Sequence, residues 1–392
     1  MTLEEKVGQM AQITLDVLGD GQPFKLNESK VKEAIQTYKL GSVLNTSDNR
    51  AMSTAQWNSI VETLQRETKT TATKIPLIYG FDAIHGATYV SGATFFPQAI
   101  GQAASWNRQM VKDAASITAY ESRAASVSWN FSPVLDLGVN PLWPRIWETY
   151  GEDPYLVAEM GKQVIDGYQN PLGNKNHVAA CLKHFLAYSD PKTGKDRSNA
   201  WIPEHYLREY HLPSFKAAIK AGARTVMVNS ALINGMPTHI NRKILTDLLK
   251  KEMGFTGFVV TDWQDIDNVY KRDKIVATQK EALMLAINAG IDMAMIPYEY
   301  KDFCRDLIAL VKEKKVPLAR INDAVSRILR VKYELNLFEE PVTVSKDYLK
   351  FGSKEYEQKA YDAAAESVVL LKNKGNILPL NSSTKILVTG PN

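Results

Sequence analysis

Cysteine is scarce: two in 392 residues, Cys181 and Cys304, far apart and each inside an apolar stretch (AACLKHF, DFCRDLI). With no CxxC pair there is no zinc ribbon or dithiol redox motif, and two buried free thiols are the expectation. The six histidines fall in no HxH or HxxxH arrangement, so no metal site is expected. No apolar run approaches the ~20 residues of a membrane span, and mean hydropathy is −0.24. Neither sign of charge dominates: 47 basic residues face 43 acidic ones, scattered except for short clusters such as KKEMG and KEKK. That distribution offers no footprint for nucleic acid. There is no GxGxxG after a strand, no Walker sequence and no GxSxG elbow. The usual signatures of hydride transfer, phosphoryl transfer and serine hydrolysis are therefore missing, and no cofactor is expected.

What the sequence does have is alternation. Short β-branched runs (QMAQITL, LGSVLN, IPLIYGFDA, WNFSPVLDL, VAACLKHF, RTVMVNS, GFVVTDW, IDMAMIP) are separated by amphipathic stretches such as 51–68, 107–123, 155–169, 205–221, 241–253 and 277–289. Near-continuous apolar strands spaced by helices imply parallel pairing with both sheet faces covered. Eight such units predict an α/β fold, a (β/α)8 TIM-like barrel over residues 1–338, with an open doubly wound sheet as the rival. The start, MTLEEKVGQM, reads as a helix capped by Thr2 with Glu4 and Glu5 in its first turn. Residues 339–383 read as a linker with one helix over EYEQKAYDAAAESVVLLKN. KILVTGPN, within 384–392, reads as the first strand of a second α/β domain whose remainder is expected to follow.

Polar groups recur where the apolar strands finish: Asp82, Asp136, Lys183, His184, Asn229, Ser230, Asp262 and Pro297. In a parallel barrel those ends share one rim, where βα loops converge on a single polar mouth. Asp262 closes GFVVTD and suits a nucleophile on an anomeric carbon, with Trp263 as an apolar wall for a sugar ring. A helix cap or a salt bridge is the plainer alternative for it. Lys183 and His184 suit polyol hydroxyls as donors, Asp82 is an acceptor able to take two hydroxyls, and His85 reads as structural. The loop NPLWPRIWETYGEDP brings Trp143, Arg145, Trp147 and Tyr150, the composition of a cleft wall or of a packed loop. DPKTGKDRSNAWIPE is long enough to overhang the mouth.

These segments together resemble glycoside hydrolase family 3, in its β-glucosidase and exo-β-glucanase branch. MTLEEKVGQM, IPLIYGFDAIHG, FSPVLDL, RIWETYGEDP, AACLKHF, GMPTHINRKILTDLLKKEMGFTGFVVTDW and AINAGIDMAMIP recur in family order to about residue 335. The resemblance implies a retaining exo-β-glycosidase, most simply a β-glucosidase, acting on a small-molecule or oligosaccharide β-glucoside without metal or cofactor. It implies Asp262 as nucleophile, Trp263 beside the first sugar, and Asp82, Arg145, Lys183 and His184 on the hydroxyls of the terminal sugar. In this branch the acid/base carboxyl comes from the second domain. The alternative supply, a KHFPGHGDT-type loop, is replaced here by KHFLAYSDPKTG. Low turnover by this chain alone is therefore expected, and a non-catalytic sugar-binding barrel or a β-xylosidase are the alternative readings. NSALING departs from the family by placing Ser230 where many relatives have an aromatic. The family also suggests a periplasmic or secreted setting.

Overall fold

The computed structural model describes residues 1–48 and 50–390. Eight parallel strands form one sheet: β1 (Ala11–Thr14), β2 (Ser42–Leu44), β3 (Ile78–Phe81), β4 (Trp129–Asn130), β5 (Ala179–Phe185), β6 (Thr225–Val228), β7 (Phe258–Val260) and β8 (Ala294–Met295). Each pairs with its neighbour in chain order, β1 also pairs with β8, and a parallel bridge from Val260 to Met293 closes the ring. The sheet is a closed (β/α)8 barrel, and closure removes both sheet edges. The open-sheet rival is excluded.

Large side chains fill the ring. Trp129 meets Phe131 and Phe258 edge-on, with centroids 4.9 and 5.1 Å away, and its Nε1–H donates to Thr225 Oγ1 at 2.8 Å. Gly80 on β3 makes this possible, because a Cβ there would lie 2.7 Å from the Phe131 ring. Around the ring lie the expected helices, among them Thr54–Thr68, Arg108–Ala124, Pro154–Gln169 and Gln279–Ala289. Thr2 caps the helix Leu3–Gln9 in a capping box: its Oγ1 accepts from Glu5 N–H and Glu5 Oε2 accepts from Thr2 N–H.

Three expectations need correction. WNFSPVLDL, read as one strand, pairs regularly only at Trp129–Asn130, then bends and touches β5 again by a single bridge at Val134. Its Ser132-Pro133 step removes an N–H from the ladder. The helix read over 355–373 ends at Glu366, followed by Ser367 and the β-branched Val368 and Val369, which are weaker helix formers. KILVTGPN forms no strand over 385–390, since a strand needs a neighbour to take its backbone hydrogen bonds. Its last two residues lie outside the described ones. No described helix is long and apolar enough to cross a membrane.

Candidate active site

The C-terminal ends of seven of the eight strands, β2 to β8, open into one cavity of about 280 Å³. Leu44, Phe131, Met227 and Met295 form its apolar lower wall, while Asp82, Lys183, His184, Asp262 and Trp263 supply polar groups and one indole. Arg145 and Arg197 reach in from loops. All six residues singled out from the sequence for this site, Asp82, Arg145, Lys183, His184, Asp262 and Trp263, are therefore brought together. The volume is near the lower end, roughly 300 Å³, of small-ligand pockets.

Asp262 lies two residues beyond the end of β7 and is largely buried. The Trp263 backbone N–H donates to its Oδ1 at 2.6 Å, and its own N–H donates to His239 Nε2 at 3.3 Å. Oδ2 has no hydrogen-bond partner and faces His184 Nε2 at 3.9 Å. One carboxylate oxygen is thus anchored, while the other is unpartnered and itself buried. Burial raises the carboxyl's pKa, and the nearby buried Asp265 raises it further; Arg197, the Trp263 N–H and Arg145 oppose this.

Lys183 and His184 are neighbours on β5, where alternate residues should face opposite sides. Both reach the cavity because the pairing register with β6 shifts between Leu182 and Phe185, a bulge that turns the chain. Lys183 Nζ donates to Asp82 Oδ1 at 2.6 Å, nearly buried on the lysine side and partly open on the carboxylate side. The His184 ring meets Asp136 Oδ2 through Nδ1 at 2.8 Å, and the same oxygen accepts the His184 backbone N–H at 3.0 Å. With Asp136 ionised, Nδ1 donates and Nε2 is an acceptor, which the Arg145 Nη2–H approaches at 3.4 Å. Burial, then the cations Arg145 and Lys183, hold this histidine well below its ordinary value and keep it neutral. Burial also pushes Asp136 up to about 7.

Arg145 is locked by Glu148, which takes Nε–H and Nη2–H at 2.7 Å each, and its guanidinium lies 5.5 Å from the Tyr188 ring centre. Trp263 is met edge-on by Tyr298 with centroids 6.0 Å apart. His85, read as structural, donates from Nδ1 to the Phe96 carbonyl at 2.9 Å. Asn229 ties the Leu186 carbonyl and the Ala231 N–H, and Trp143 packs on Tyr188 away from the cavity lining. One contributor escaped the sequence reading: Arg197, inside a loop without periodic signal. Both cysteines are buried free thiols. Among the described residues no group of three or more His, Cys, Asp or Glu is placed to hold a metal.

The fold and this cavity define a class: a closed (β/α)8 barrel with an acid-bearing polar pocket at the C-terminal mouth of its strands. The chain belongs to glycosyl hydrolase family 3, whose N-terminal domain matches residues 2–331. Along its whole length it is 40% identical to a lysosomal beta glucosidase of Dictyostelium discoideum, covering 50% of that protein. It is 36% identical to a beta-xylosidase of Formosa agariphila over 81% of this chain and 46% of the relative. A beta-glucosidase of Listeria innocua solved in complex with glucose superposes with TM-score 0.84 at 32% identity, over 97% of this chain and 52% of that one. The chain spans about half the length of the relatives it matches.

Proposed function

We propose that this barrel is the sugar-binding and nucleophile-bearing part of a retaining exo-β-glycosidase of the β-glucosidase type. The observation that carries the reading is Asp262 itself: a buried carboxylate with one oxygen anchored and the other unpartnered, lining a cavity sized for one sugar ring. Asp262 attacks the anomeric carbon as the bond to the leaving oxygen breaks, giving a glycosyl ester that water then cleaves. Trp263 walls the ring, Asp82 with Lys183 takes hydroxyls as a paired acceptor and donor, and His184 Nε2 accepts one more in place of its 3.4 Å contact with Arg145 Nη2. Arg145 is a fixed donor held flat by Glu148.

Retention requires a second carboxyl to protonate the leaving oxygen. Inside the cavity Asp82 is committed to Lys183, and the Asp265 side chain is sealed from it. The proton therefore comes from outside this cavity. Without it, unactivated glycosides lose the ~10²–10⁴-fold that general acid help supplies. The reading is tested with a 2-deoxy-2-fluoro-β-glucoside bearing a dinitrophenyl leaving group, which needs no acid. One equivalent of phenolate should be released, with the sugar mass on the peptide holding Asp262 and no label in Asp262→Asn. Glucose binding without any label overturns the nucleophile and leaves a sugar-binding barrel. Because one relative is a beta-xylosidase, the same assay with the xyloside decides the glycone.

A further inference from the structure

The cations of the cavity are not equivalent. Lys183 is paired with Asp82, and the Nε/Nη2 edge of Arg145 with Glu148. Arg197 is different. Among the described residues its guanidinium makes no hydrogen bond, and its nearest carboxylate, Asp196, stands 3.8 Å from Nε. Asp196 already accepts the Trp143 Nε1–H at 3.1 Å. The Arg197 side chain is 39% exposed, so it opens toward the mouth while still lining the cavity that holds Asp262.

The loop that carries it is fixed. Asn140 Nδ2 holds the Pro191 carbonyl at 2.8 Å at one end, and Ala200 N–H holds Leu232 at 2.9 Å at the other. Close approach of Gly194 to Leu142, where a Cβ would lie 2.4 Å away, packs the loop on its neighbour. Arg197 itself has φ of +57°, a conformation that costs a non-glycine residue energy and is retained where the surroundings impose it. An open planar guanidinium at a fixed position matches a carboxylate through two parallel N–H donors. That carboxylate cannot sit on the inner sugar, because Asp262 and Asp82 repel an anion there. The outward side of Arg197, where the leaving group emerges, is the place left.

We propose that Arg197 is a specificity-determining residue that binds a carboxylate on the leaving group, so that the site prefers acidic β-glycosides over neutral ones. This rests on the glycosidase reading of the cavity. It is tested by titration calorimetry of the intact chain with 4-carboxyphenyl β-D-glucoside, its neutral isostere 4-carbamoylphenyl β-D-glucoside, and glucose. The carboxylate should bind roughly 5- to 10-fold tighter than the amide at low salt, as for a partly screened charge-assisted pair. The ratio should shrink with added salt, fall to about one in Arg197→Gln, and survive in part in Arg197→Lys. A ratio of one in the unaltered chain, or a preference that persists in Arg197→Gln, overturns the proposal while glucose binding keeps the glycosidase reading. If no sugar binds at all, that reading falls and the role of Arg197 with it.

Discussion

At the scale of single residues, the proposed reaction turns on the ionisation of Asp262, because only a carboxylate can act as the nucleophile. Its pKa is raised first by burial and next by Asp265, a second buried carboxyl held by Asn268 Nδ2 at 2.7 Å and Arg272 at 3.5 Å. Asp265→Asn keeps the shape and an acceptor for Asn268 but removes the negative charge. The like-charge contribution then disappears, Asp262 ionises more readily, and the acid limb of ester formation moves to lower pH. The pH dependence of fluoroglucoside trapping measures this directly. An unmoved limb with the rate retained would show that burial alone sets the ionisation. Asp262 was legible in the sequence because an apolar strand ending on an acid is a visible anomaly. Asp265, five residues beyond the end of β7, stands in no such pattern, and an acid at a helix start reads most simply as a cap. Only burial shows otherwise: the helix Asp265–Lys271 starts inside the protein, so its first acid has no access to water.

At the scale of elements, the strands and outer helices were legible because each keeps one period over enough residues to be read. The limits of legibility are where chain geometry, not residue type, decides. The bulge in β5 and the early end of β4 leave no mark in an apolar run, yet they put Lys183 and His184 on one cavity. Another such case joins the last long helix, Leu318–Glu334, to the barrel floor. Lys332 is fully buried and donates to Gln9 Oε1, Gly41 O and Pro76 O at 2.7, 2.8 and 2.8 Å. Its ammonium thus fastens that helix to the segments around β1, β2 and β3, and on the surface-facing pattern it resembled any solvated lysine. Lys332→Met fills the space but leaves Gln9 Oε1 and Pro76 O without that donor, each costing ~1–3 kcal/mol, while Gly41 O keeps the Ile78 N–H at 3.1 Å. A loss on the order of 3–5 kcal/mol is expected, read as a lower denaturant midpoint with the slope unchanged. A loss under about 1 kcal/mol would mean that water replaces the ammonium.

At the scale of the whole molecule, the barrel and the segment after it differ in how they are held. The helix Lys354–Glu366 docks through Tyr356 and Ala363 onto Phe96, Ala114 and Ile117, so the ordered body extends to about residue 367. Beyond it the apolar side chains have nowhere to go: Val368 is 78% exposed, Leu371 92%, Leu387 86% and Val388 88%. Side chains that bury little area contribute little to folding, whereas a run of them in water favours association. Removing residues 368–392 should therefore leave the melting temperature within about 2 °C, because no buried contact of the barrel is lost. The same deletion should reduce dye binding to exposed apolar surface and light scattering on heating. A fall in melting temperature of more than about 4 °C would show that the segment braces the barrel in solution. Fluoroglucoside trapping by the shortened chain completes the test: every residue assigned to the cavity lies before position 300, so the label on Asp262 should form at an unchanged rate.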